Sequence, residues 1–77
     1  TKLVIGASGF LGSHVTRQLV AAGQDVRVMV RRTSVTKGID DLLQTRKVER
    51  CYGDIFDDAA LREAMAGCDV VYYCVVD

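Results

Sequence analysis

The chain has 77 residues, ten basic and ten acidic side chains, no formal net charge, 49% hydrophobic residues and 26% charged ones. A chain of that length supports one domain with a thin core, burying only ~60% of its unfolded surface, and leaves no room for a second. The balanced charge gives no electrostatic case for a nucleic-acid or acidic-membrane partner, and the composition is that of a globular chain rather than a disordered one.

Lys2-Leu3-Val4-Ile5 is a short apolar run closed by Gly6, the pattern of a strand buried on both faces. From about Phe10 to Ala22 the spacing becomes helical, with Leu11, Val15, Leu19 and Ala22 expected on the inward stripe and Thr16, Arg17 and Gln18 on the remainder. Gly23 is placed to end that helix. Asp25 to Val30 alternates, with Val26, Val28 and Val30 on one side and Arg27 and Met29 on the other, and predicts a second strand. Thr33 to Lys47 is polar, with a short helix expected near Asp40 to Gln44, and Val48 to Tyr52 predicts a third strand ending at Gly53. Asp57 or Asp58 can cap a helix over Ala59 to Ala66, with Leu61 and Met65 as its inward pair and Gly67 as its stop. Val70 to Val76 predicts a fourth strand. Strands alternating with helices imply an α/β fold, a parallel sheet with right-handed crossovers.

Gly6-Ala7-Ser8-Gly9-Phe10-Leu11-Gly12 spells G-x-x-G-x-x-G between the first strand and the first helix. At this spacing Gly6 permits a sharp exit from the strand, Gly9 lets the backbone approach a pyrophosphate, and Gly12 lets the helix pack against the sheet. The helix N-terminus behind the loop favours an anion. A ligand-free glycine turn is the alternative; a Walker-type loop is excluded, because no Gly-Lys-Ser/Thr ends the motif.

Arg31 follows Gly12 by 19 residues, close to the roughly 20 at which this architecture reads the adenosine ribose. A carboxylate there would accept from the 2′-hydroxyl of NAD, whereas arginine accommodates the 2′-phosphate of NADP. Arg31 and Arg32, with hydroxyls from Thr33 and Ser34, therefore favour NADP, and NAD is the weaker reading. A solvated loop carrying two arginines is the alternative.

Lys2 to His14 resembles the opening of the extended short-chain dehydrogenases/reductases, the NAD-dependent epimerase/dehydratase family, and Val26-Arg27-Val28-Met29-Val30-Arg31 is similar to its dihydroflavonol-4-reductase-like branch. The resemblance spans nearly the whole chain and implies a Rossmann-type sheet of strand order 3-2-1-4 with helices on both faces. It also implies dinucleotide contacts from Ser8, Phe10 and Leu11 within the glycine loop. Gly53-Asp54 matches the family's Gly-Asp pair, which makes Asp54 the adenine reader and Ile55 a residue packed on the base, with a turn or cap role for Asp54 as the alternative. Tyr73-Cys74-Val75-Val76 stands where the family has a His-x-Ala-Ala type segment, so Val75 is a candidate contact near the nicotinamide-side ribose.

The family's Tyr-x-x-x-Lys pair, in which lysine lowers the tyrosine pKa, has no match: Tyr52 is followed four residues on by Phe56, Tyr72 by Val76 and Tyr73 by Asp77. No catalytic residue is expected within the chain. His14, the lone histidine, reads as a helix-surface or packing residue. Cys51, Cys68 and Cys74 form no C-x-x-C pair, so no metal site is expected, and Cys74 reads as a small buried hydrophobe.

Thr1 in place of an initiating methionine, and Asp77 directly after a strand, give the appearance of a fragment: the N-terminal part of an NAD(P)-binding domain, with catalytic and substrate-binding parts expected elsewhere. No signal peptide is apparent, and the longest apolar run is far short of the ~20 residues of a membrane helix. A cytoplasmic protein follows as the expectation. The parent is expected to reduce a carbonyl, oxidise an alcohol, or epimerise through a transient ketone. A non-enzymatic dinucleotide sensor and a non-functional truncated product are the rivals.

Overall fold

The run Lys2–Ile5 forms strand β1, and every later element is arranged around it. In the computed structural model, which describes residues 1–75, α1 spans Phe10–Ala21, β2 Val26–Val30, α2 Asp40–Gln44, β3 Val48–Tyr52, α3 Asp58–Met65 and β4 Val70–Tyr73. The four strands make one sheet in the order β3-β2-β1-β4, and every pairing is parallel. The strand order and the layers on both faces are those implied by the sequence. The fourth strand ends at Tyr73, three residues before its expected end, and Val76 lies outside the described residues.

Side chains alternate across the sheet, so each strand feeds two cores. Val4, Val26, Val28 and Val30 point to one face, where Val15, Leu19 and Val20 of α1 and Leu42 and Leu43 of α2 pack on them. Leu3, Ile5 and Met29 point to the other, covered by Ala64 and Leu61 of α3. Two thin cores share one sheet: β1 and β2 are buried along most of both faces, while the outer strand β3 exposes Glu49 and Arg50.

Each helix carries its own stop. Past α1, Gly23 adopts φ +79°; its N–H donates to Val20 O and that of Gln24 to Leu19 O, both at 3.0 Å, the Schellman arrangement. Asp57 is the N-cap of α3, its carboxylate accepting from Ala60 N at 3.2 Å, a contact worth about 1 kcal/mol. Arg27 holds the opposite end: Nη1 donates to Ala64 O and Ala66 O, each at 2.7 Å, while Nε donates to Glu49 at 3.0 Å.

Two inward faces differ from expectation. In α1, Leu11 is 48% exposed and Ala22 is also exposed, whereas Gly12 and Thr16 are buried. Small residues occupy the seam because the helix approaches the β1 loop too closely for large ones, and Thr16 Oγ1 satisfies itself by donating to Gly12 O at 2.7 Å. In α3, Ala64 is buried at 2% exposure and Met65 is 46% exposed. Ile39, inside the polar stretch before α2, is fully buried.

Candidate dinucleotide site

Parallel strands present their C-terminal ends together. Gly6 N donates to Met29 O at 3.3 Å, Gly53 N to Val30 O at 3.0 Å and Cys74 N to Ile5 O at 2.9 Å. The loops that leave β1, β2, β3 and β4 therefore emerge side by side along one edge. In this strand order the connections depart in opposite directions on either side of β1, and ligands of open α/β sheets bind at such a switch point.

A cavity of about 450 Å³ opens there. Its wall takes Gly6, Ser8 and Gly9 from the glycine loop, Met29, Val30, Arg31 and Ser34 from the end of β2, Gly53 to Phe56 from the end of β3, and Cys74 and Val75 after β4. A second cavity of about 490 Å³ adjoins it, sharing Arg31, Gly53 and Asp54 and adding Arg32, Thr33, Tyr52, Asp57 and Ala60.

The three motif glycines divide by what surrounds them. Gly6 sits at φ +81°, and a Cβ on it would meet Cys74 backbone and Val75 Cγ2 at 3.1 Å. A Cβ on Gly12 would lie 2.1 Å from Gly6 O and 2.8 Å from Ala7 Cα. Both are required by the protein's own packing. Gly9 has an ordinary φ of −76°, and its Cβ would meet only Gly6 O at 3.6 Å. Nothing in the chain demands a glycine at that place, which leaves open space over its backbone for a ligand.

Gly9 is also the N-cap of α1, with no side-chain cap and no acidic residue in the first turn. The first-turn N–H groups of a helix lack intrahelical partners, and at Phe10, Leu11 and Gly12 no capping side chain or first-turn carboxylate occupies them. The Phe10 side chain is 94% exposed and, like that of Leu11, forms no part of either wall; these residues offer backbone only.

Arg31 begins a tight turn: its O accepts from Ser34 N at 3.0 Å, and its N–H donates to Ser34 Oγ at 3.2 Å. The turn commits the serine hydroxyl as an acceptor and leaves the exposed Arg31 side chain on the cavity rim. The Arg32 guanidinium stacks on the Tyr52 ring, 4.6 Å from its centroid. Asp54 Oδ1 accepts from Phe56 N at 3.0 Å, so a turn occupies one carboxylate oxygen and leaves Oδ2 for another donor. Ile55 and Val75 rest against the Leu3–Ile5–Met29 core with their outer sides on the cavity.

Of the eleven residues singled out from sequence, the cavity walls gather Gly6, Ser8, Gly9, Arg31, Arg32, Asp54, Ile55 and Val75. Phe56 and Tyr52 were missed. Phe56 follows Asp54 and Ile55 directly, which was the available signal; Tyr52 gave none, because an aromatic ending a strand reads as core. His14 is exposed on α1 with Gln18 Nε2 3.0 Å from its Nε2, away from both cavities. Burial raises the thiol pKa of Cys51 and Cys74, which makes neither a ready nucleophile. Among the described residues no helix is long and apolar enough to cross a membrane, and no group of three or more His, Cys, Asp or Glu could hold a metal.

Residues 6–77 match the family model described as NAD(P)H-binding. The chain belongs to the NAD(P)H-binding family. Over 73 residues it is 41% identical to sterol demethylase protein B of Methylococcus capsulatus, covering 95% of this chain and 21% of that protein. It is 35% identical to a bifunctional dihydroflavonol 4-reductase/flavanone 4-reductase of Pyrus communis, covering 91% of this chain and 21% of that one. Among solved structures, a nucleoside-diphosphate-sugar epimerase from Pseudomonas aeruginosa superposes with a TM-score of 0.80 at 33% identity, over 95% of this chain and 23% of the epimerase. The chain thus spans about a fifth of the length of these curated relatives, and corresponds to the nucleotide-binding portion of reductases and epimerases. Its cofactor is a nicotinamide dinucleotide, and the likeness to the dihydroflavonol-reductase branch holds.

Proposed function

We propose that the chain binds NADP in preference to NAD, in a protein that interconverts a carbonyl and an alcohol or epimerises through a transient ketone. The observation that carries the cofactor choice is Arg31 on the cavity rim at the end of β2, where an NAD-reading carboxylate would otherwise stand. The free N–H groups behind Gly9 hold the pyrophosphate, and Gly6, Ser8 and Gly12 shape the loop that lets it approach. Arg31 grips the 2′-phosphate with Arg32 beside it. Asp54 Oδ2 accepts from the adenine amino group, Ile55 packs on the base, and Val75 borders the nicotinamide-side ribose. When bound, the nicotinamide supplies or accepts hydride. No tyrosine of the chain is followed four residues on by lysine, so these residues bind and orient the cofactor and the proposal gives them no proton transfer. The reductases and epimerases among its relatives support the activity class. Three unpaired cysteines support a reducing, cytoplasmic setting.

Arg31→Asp tests the reading. NADPH affinity should fall about tenfold or more, while NADH affinity holds or rises, because a charge-assisted phosphate contact is replaced by a carboxylate. Equal losses for both cofactors would remove Arg31 from the phosphate site.

A further inference from the structure

Val30 of β2 is the register partner of Tyr52 at the end of β3, and Arg32 lies two residues beyond Val30. Parallel pairing thus delivers the arginine to the tyrosine from the neighbouring strand. The guanidinium carbon stands 4.6 Å from the ring centroid, within the range of a cation–π contact. Both side chains belong to the wall of the second cavity, which meets the first at Arg31, Gly53 and Asp54. That wall also carries Asp54 and Asp57. If Arg32 were free to wander, Arg31 alone would face two carboxylates when an anion arrived. Fixing the second cation decides whether the junction of the cavities attracts a phosphate or repels it.

A loop arginine carries large rotamer entropy, lost when it grips a ligand. A tyrosine ring on a strand has little to lose and can hold the guanidinium in place beforehand. Arg50 also lies over this ring, at 5.0 Å, but forms no part of either wall; it adds positive potential without reaching the junction.

We propose that Tyr52 is a positioning residue for the 2′-phosphate subsite, its ring holding the Arg32 guanidinium beside Arg31 where a phosphomonoester on the adenosine ribose would enter. The proposal rests on the NADP reading above and extends it to a residue that touches no cofactor atom itself.

Adenosine 2′,5′-bisphosphate and 5′-AMP differ only in the 2′-phosphate, so the ratio of their dissociation constants isolates the subsite. Calorimetric titration of both into the full protein that carries this sequence, with wild type, Tyr52→Phe and Tyr52→Ile, gives three ratios. Tyr52→Phe keeps the ring, and its ratio should stay within about twofold of wild type. Tyr52→Ile keeps a strand-favouring side chain at a position 40% exposed and should weaken the bisphosphate by about 3- to 30-fold with 5′-AMP unchanged. If that variant fails to fold, Tyr52→Met takes its place. In an Arg32→Gln background the ring-removing change should leave the ratio where Arg32→Gln alone puts it. Equal loss of both ligands would make the ring merely structural and overturn the proposal, as would an unchanged ratio in Tyr52→Ile. A wild type that binds the two ligands equally overturns the NADP reading itself; a wild-type preference that survives loss of the ring overturns only the role of Tyr52.

Discussion

Gly12→Ala adds one methyl group where the protein leaves no space: the new carbon would sit 2.1 Å from Gly6 O and 2.8 Å from Ala7 Cα. Both are backbone atoms, so no side chain can swing aside; α1 must lift from the β1 loop. Overpacking of this kind costs about 3 kcal/mol, at the upper end of the usual range. A loss of that size is a large fraction of a domain's stability and lowers the melting temperature by about 6 °C or more. Gly9→Ala is the matched control. Its φ of −76° suits alanine and its nearest neighbour would be Gly6 O at 3.6 Å, so only the weaker N-cap remains, costing about 1 kcal/mol or less. The methyl would instead occupy the space assigned to the pyrophosphate and weaken NADPH binding by about 5- to 150-fold. Thermal unfolding by circular dichroism with and without NADPH reads both effects. A Gly12→Ala protein melting within a few degrees of its parent, or a Gly9→Ala protein as unstable as Gly12→Ala, would refute this division of the glycines.

Arg27→Met removes the donors that close the C-terminal end of α3 through Ala64 O and Ala66 O. Its side chain is only 16% exposed, so chemical denaturation should show a loss of about 1.5–3 kcal/mol; no change would mean water serves those carbonyls equally well. Lys2 Nζ, 2.5 Å from Asp69 Oδ2, holds the Asp69 carboxyl below the usual carboxylate range. That depression stabilises the fold above the unfolded carboxyl pKa of ~3.9 and is lost as pH falls from there through the lowered folded value. The melting-temperature difference between the parent and Asp69→Asn should be constant above pH 5 and vanish toward pH 2; a difference that persists at pH 2 would contradict the ion pair as its source.

The elements and their order were legible because β1, β2 and β4 are short runs rich in apolar residues, β1 and β3 close on glycine, and the two longer helices stop at glycines that adopt positive φ. What the spacing did not reveal was which small residues lie inward. Apolar periodicity weights Leu11 and Met65, yet the close approach that makes Gly12 necessary places Gly12 and Thr16 in the α1 seam, and the short α3 sits on the sheet through Ala64. Ile39 was hidden by its polar neighbours. The glycine loop and Arg31 stood out by motif spacing, whereas the Asp54–Ile55 pair was singled out only through the family resemblance. Tyr52 and Phe56 were not readable, because their place on the cavity walls depends on register between strands and on a turn closed by a side chain.

The most direct measurement is an NMR titration of the isotopically labelled protein with NADPH, followed through its backbone amides. Saturable shifts should concentrate at Gly9, Phe10, Leu11, Gly12, Arg31, Asp54 and Ile55, with NADH saturating at higher concentration. Shifts that fail to saturate, or that fall away from the glycine loop, would contradict a dinucleotide site at the end of β1.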